Sequence, residues 1–222
     1  MEVSAKRQAA GSIQHLGFNL LAITLILAIC GLSVAYGIDA LVRLHHAAME
    51  DDSKVVASNL AGRTLTIPTS WLPAGAGGVE GFASQIALRL SLPLGPDQRL
   101  AAVEVTLVPH SQARASASLL DGLYLHLFKA NEIPGPPGLI GKPLNDTDGF
   151  AGETVWYDPL SPSPFVAKCM QVVAGKGEDR CLRTVVLKSG IAAIYSFGAD
   201  LLPAWRDFDA VMNERLERIG AL

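Results

Sequence analysis

The hydrophobic pattern changes character along the chain. Residues 16–37 form an apolar run of 22 positions without a charged side chain. A helix rises about 1.5 Å per residue, so this run reaches roughly 33 Å, against a bilayer core of about 30 Å. It has no polar stripe, and backbone groups in lipid must be satisfied inside the segment. The pattern therefore predicts a membrane-spanning helix. Asn19, Thr24 and Ser33 interrupt it mildly; Ser and Thr hydroxyls can return to the preceding turn. Residues 38–49 are expected to continue this helix, with Leu41, Leu44 and Ala48 on one side and His45 and His46 at headgroup level.

Beyond residue 53 the pattern shortens to strand-like alternation. Residues 54–59 and 63–67 read as a hairpin, with Leu60, Ala61 and Gly62 as the turn and Pro68 as the stop. Ile86, Leu88, Leu90 and Leu92 alternate with polar or small residues, and so do Val103, Val105 and Leu107. Each set predicts a half-buried strand. Residues 154–157 predict another, ended by Asp158 and Pro159. Residues 165–173, 181–187 and 191–197 predict three strands of a meander, with a tight turn at Lys188, Ser189 and Gly190.

The period lengthens again at the end. Leu201, Trp205, Phe208, Met212, Leu216 and Ile219 make one apolar helical stripe. Asp200 is placed to cap this helix, Pro203 is tolerated in its first turn, and Gly220 is placed to stop it. Residues 111–129 carry both periods, and the reading is a helix that becomes extended near its end. Residues 133–144, rich in Pro and Gly, read as a structured loop or short linker. Together these elements predict an α+β fold: an N-terminal transmembrane helix, then an antiparallel sheet with the C-terminal helix packed on one face.

Charge gives the segment a direction. Lys6 and Arg7 precede the run and Arg43 comes after it, so positive charge lies more on the N-terminal side. That predicts a cytoplasmic tail (1–15), a signal anchor (16–37), a juxtamembrane helix (38–52) and an exported domain (53–222). A cleavable signal has an apolar core of only about 7–15 residues. This run exceeds that before the small-x-small triplet at Ser33, Val34 and Ala35, so an uncleaved anchor is expected. A lipid-attachment box ending at Cys30 is disfavoured because Ile29 stands where a small residue is required. Cys30 reads as a small apolar helix residue.

The chain is mildly acidic overall, at −3. The exported part is near neutral and has no basic block, so it carries no electrostatic footprint for nucleic acid. Its two cysteines, Cys169 and Cys181, sit on two alternating runs separated by a turn-like stretch. Paired antiparallel, they would face each other, and in an oxidising compartment a disulfide is the simplest state. Their spacing is not C-x-x-C and no nearby His completes a zinc set, so no metal site and no cofactor are expected.

Chemistry-bearing motifs are sparse. The Gly-rich stretch 74–81 lacks Gly-Lys-Ser/Thr and is no phosphate cradle. No Gly-x-Ser-x-Gly elbow occurs. The densest unusual cluster is residues 149–168, which holds Glu153, Trp156, Tyr157 and Asp158 before a Pro-rich stretch. An aromatic pair beside acids on a rigid loop would suit a ligand or partner surface. The plainer reading is a strand whose aromatics fill the core.

The stretch GFAGETVWYDPL (149–160), with PFVAKC (164–169), RTLTIP (63–68) and the last helix, resembles an uncharacterised bacterial family of single-pass exported proteins. The resemblance implies an inner-membrane setting with the domain in the periplasm, and it carries no activity. The expectation is then a periplasmic interaction or accessory protein. Its partners would be the bilayer, through residues 16–37, and a membrane or periplasmic protein. The alternatives are an envelope hydrolase using Glu153, Asp158 or His126 as acid–base groups, and a small-ligand binding or sensor domain.

Overall fold

The computed structural model describes residues 27, 29, 31–33, 54–75, 80–94, 99–146, 149–171 and 179–222. The chain divides into two units, Met1–Ser53 and Lys54–Leu222. In the first, the described residues are helical, and the Ser33 hydroxyl donates to the Ile29 carbonyl at 2.8 Å. The rest of the apolar run, the tail 1–15 and the continuation 38–52 lie outside the described residues. Among the described residues no helix is long and apolar enough to cross a membrane.

The second unit opens with the expected hairpin, β1 (Val55–Leu60) and β2 (Arg63–Pro68). Its turn is shorter than the three residues expected. Leu60 is the last residue of β1, fully buried, and only Ala61 and Gly62 turn. Both have positive φ, 53° and 80°. A two-residue loop of that hand matches the right-handed twist of the strands it joins. A two-residue strand, β3 (Gly81–Phe82), adds parallel to β1 and completes a small sheet.

Among the described residues the large sheet has seven strands: β4 (Ile86–Pro93), β5 (Leu100–Pro109), β6 (Ile140–Pro143), β7 (Glu153–Tyr157), β8 (Val166–Met170), β9 (Arg180–Val186) and β10 (Ile191–Gly198). Their order is β4-β5-β10-β9-β8-β7-β6, with every neighbouring pair antiparallel. Strands β6 to β10 form a meander, and β10 docks it against the β4–β5 hairpin. Strand β6 lies inside the Pro/Gly-rich stretch read as a loop. Pro143 is tolerated there because β6 is the edge strand. Its outer side is tied down by Ile133 N donating to Gly141 O at 2.8 Å and Lys129 N to Pro143 O at 2.9 Å.

One face of this sheet makes the main core. Alternation brings Ile86, Leu88, Leu90, Val103, Val105, Leu107, Tyr195 and Phe197 to it. The C-terminal helix (Trp205–Arg218) lays its stripe on this face, with Phe208, Met212 and Leu216 fully buried. Phe208 meets Phe197 at 4.7 Å and Tyr195 at 5.6 Å between ring centroids. Leu65, Ile67 and Trp71 of the hairpin region join the same core, and Thr66 N donates to Ile219 O at 3.0 Å.

The two ends of that helix compare differently with the pattern. Asp200 does not cap it. The chain enters through a 3-10 segment, Ala199–Ala204, which contains Pro203 and makes no side-chain cap bond. Trp205 N donates to Leu202 O instead, so the tighter turn takes up a donor that a cap would have served. The Gly220 stop holds. Its φ is 81°, and Ala221 N returns to Leu216 O at 2.9 Å.

The sheet is covered on its other face as well. The segment read as a helix turning extended is helical at Ser116–Leu119, bulges into a π turn at Leu120–Tyr124, and ends at Leu125–Leu127. Phe128 leaves it extended. Leu120 and Tyr124 pack with Leu144, Val155 and Val166. The Ser116 hydroxyl accepts from Thr184 N at 2.8 Å. This second helical layer lies over β7, β8 and β9. Toward β4, a cross-strand ladder lies in solvent: Arg89 donates to Glu104 at 3.0 Å and Arg180 to Glu104 at 2.8 Å. The Arg89 hydrogen bond, reinforced by Arg180, holds the Glu104 carboxyl below its ordinary range.

Candidate functional site

The four residues singled out in the sequence all fall on or just after β7, and strand alternation divides them. Glu153 and Tyr157 point to the face of the short helix, and Trp156 to the opposite face. Glu153 is 7% exposed, and Lys168 of β8 donates to both its carboxylate oxygens, at 2.7 and 2.8 Å. Lys168 also lies 5.6 Å from the Phe150 ring centroid. This buried pair is the reason the strand carries an acid inward. Beside it, burial and, secondarily, the Glu153 charge push the Tyr124 phenol upward.

Tyr157 stacks on Phe128, with centroids 5.9 Å apart and planes 12° from parallel. Asp158 accepts a hydrogen bond from Leu160 N at 3.0 Å, the local turn that Asp before Pro favours. His126 is exposed on the short helix. His110 Nδ1 lies 3.1 Å from the Gly190 carbonyl. Among the described residues no group of three His, Cys, Asp or Glu is placed to hold a metal ion.

Trp156 differs from the other three. Its ring lies so close over Gly141 of β6 and over Gly135 that a methyl group at either would clash with ring carbon Cζ3. The exposed remainder of the indole faces a groove of about 320 Å³. Pro134 and Pro136 form one wall, and Asp200, Leu202 and Pro203 of the 3-10 segment form the other. Cys169 contributes to the floor, and Asp179 and Gln171 to the rim.

The disulfide is present. Cys169 of β8 stands directly opposite Cys181 of β9, with Cα atoms 3.9 Å apart. Their sequence separation is 12. Closing a loop of that size contributes roughly 3 kcal/mol in the chain-entropy model.

A larger cavity, about 510 Å³, lies between the end of β9 and the C-terminal helix. Its buried feature is Arg183, which sequence reading left unremarked. Arg183 Nε and Nη2 donate to the Asp209 carboxylate at 2.9 and 2.5 Å, and Nη1 to the Val166 carbonyl at 3.1 Å. The guanidinium lies 4.4 Å from the Phe165 ring centroid. The signal was in the alternation: Arg183 shares the inward register of Cys181 and Val185. Lys188 and Glu217 also line this cavity, so both signs of charge meet there.

No family model matches the chain, and no curated protein matches it. Two solved structures are similar. An immunity protein of the type IV secretion system of Stenotrophomonas maltophilia is 11% identical with a TM-score of 0.50, over 74% of this chain and 92% of that one. The iron-regulated outer membrane lipoprotein FrpD of Neisseria meningitidis is 11% identical with a TM-score of 0.42, over 77% and 93%. At this identity the first similarity is one of fold.

Proposed function

We propose that this chain is a membrane-anchored accessory protein of the bacterial cell envelope that acts by binding another protein. In this reading residues 16–37 tether it to the inner membrane with the N-terminus cytoplasmic, and Lys54–Leu222 works in the periplasm. The observation that carries the interaction role is the groove over Trp156, an open, largely apolar surface held by rigid elements. The Cys169–Cys181 disulfide supports export, because such bonds persist in oxidising compartments. The fold shared with an immunity protein of a secretion system accords with a binding role.

The hydrolase alternative loses its named residues. Glu153 is held by Lys168 and Asp158 by its own turn, while His126 faces solvent on the short helix. None of the three lines either cavity described above.

Affinity purification of the full chain in mild detergent tests the binding role. A stoichiometric envelope protein is the expected result. Recovery of a partnerless monomer under several detergents would overturn it. A C-terminal alkaline phosphatase fusion tests the topology, and an inactive fusion at normal expression would reject the periplasmic placement.

A further inference from the structure

The groove over Trp156 has a specific chemistry, and it deepens the interaction reading on which it rests. Its floor is the indole face, its walls are proline and leucine side chains, and its rim carries two exposed carboxylates, Asp179 and Asp200. Among the described lining residues there is no Lys or Arg. A cation over an indole is attracted by the ring quadrupole, most strongly where the site is partly desolvated. Carboxylates at the mouth add to that attraction and reject anions. The volume stands at the lower end of the 300–1,000 Å³ or so typical of ligand pockets. It suits one long side chain with its immediate neighbours rather than a cofactor. The Trp156 indole N–H has no hydrogen-bond partner among the described residues, and it is not a buried atom. It is a donor available to a carbonyl of the incoming chain.

We propose that the groove takes an arginine or lysine side chain presented by an extended segment of the protein partner, stacked on Trp156 with Asp200 as its counter-charge. The proline-lined walls leave room for apolar residues on either side of the cation. Arginine suits the site better than lysine, because its planar guanidinium both stacks on the indole and pairs with a carboxylate.

The test uses the full chain in detergent and a capped Pro-Arg-Pro tripeptide, with the Trp156 indole N–H resonance assigned by Trp156→Phe. The peptide is expected to shift that resonance saturably, and the peptide with citrulline in place of arginine is not. Asp200→Asn, at an exposed position, should leave the other indole resonances in place and weaken binding about tenfold. Equal binding of the citrulline peptide, or no change with Asp200→Asn, would overturn the proposal. Capture of an envelope protein that is not weakened by Asp200→Asn would also overturn it while leaving the wider interaction reading intact. Failure to capture any protein, in the purification described above, counts against the wider reading instead.

Discussion

Arg183, on the core face of β9, is clamped by Asp209 of the C-terminal helix through two hydrogen bonds, at 2.9 and 2.5 Å. The pair ties the helix to the sheet at the point where the guanidinium also stacks on Phe165. The two ends are unequal: the Arg183 side chain is 6% exposed and that of Asp209 43%. Loss of the carboxylate therefore strands a buried cation, whereas loss of both charges does not. Asp209→Ala is expected to cost about 2–3 kcal/mol, below the full range for a wholly buried pair because solvent screens Asp209. The double variant Arg183→Met with Asp209→Leu should recover most of that. Urea midpoints of the unaltered chain, Arg183→Met, Asp209→Leu and the double variant check it, and additive losses would contradict the clamp.

The Cys169–Cys181 bond joins two central strands of the sheet. Replacing both cysteines by alanine should lower stability by roughly 3 kcal/mol. Thiol labelling of the denatured protein should count two more reactive cysteines after reduction than before. Equal labelling with and without reductant would reject the bond.

Trp156 can lie where it does only because Gly135 and Gly141 have no side chain. Gly135→Ala should cost about 1–3 kcal/mol, as overpacking does. The loss should shrink in a Trp156→Leu background, where the ring is gone. A double-mutant cycle on thermal midpoints measures the coupling, and zero coupling would place the strain elsewhere.

The Tyr195 hydroxyl is buried with no hydrogen-bond partner among the described residues. Burial, with the Asp209 charge adding and Arg183 opposing, pushes its phenol far above the ordinary 10.0. In the unfolded chain the phenol ionises near its ordinary value, while in the folded chain it stays protonated. Its share of stability is therefore full below about pH 10 and lost as pH rises further. Tyr195→Phe should be neutral to about 1 kcal/mol stabilising at neutral pH, since an orphaned donor is removed. It should also flatten the alkaline decline. An unchanged slope in urea midpoints above about pH 10 would contradict this.

Ala61 holds φ at 53° in a turn that calls for positive φ at both central positions. An alanine there is strained by about 1 kcal/mol. Ala61→Asn should raise the thermal midpoint, with a gain of about 0.5–1 kcal/mol. A loss of stability would mean that the hairpin turns differently in solution.

Most of the strands were legible from alternation, because one face of each is buried and a period of two is hard to mistake. Strands β4, β5, β7, β8, β9 and β10 all appeared, and so did the last helix, whose stripe is continuous. Strand β6 did not. Four residues holding a glycine and a proline carry no period, and their pairing is set by β7 and by the bridge from Ile133. The short helix was legible only in part, because Leu123 to Phe128 satisfies both periods. Packing against Leu144, Val155 and Val166 decided it.

The candidate site shows the same division. Sequence alone determined that Glu153, Trp156, Tyr157 and Asp158 lie together along the chain and that Cys169 can meet Cys181, because both depend only on local spacing. It also determined the apolar run 16–37 and the near-neutral charge of residues 53–222. Only the tertiary structure decided that Glu153 is buried against Lys168 and that Trp156 looks into a groove. The groove's walls come from residues 134–136 and 199–203, far apart in sequence. Likewise, nothing local joins Arg183 to Asp209. A strand's period tells which side chains share a face, but what covers that face is settled by the elements that fold onto it.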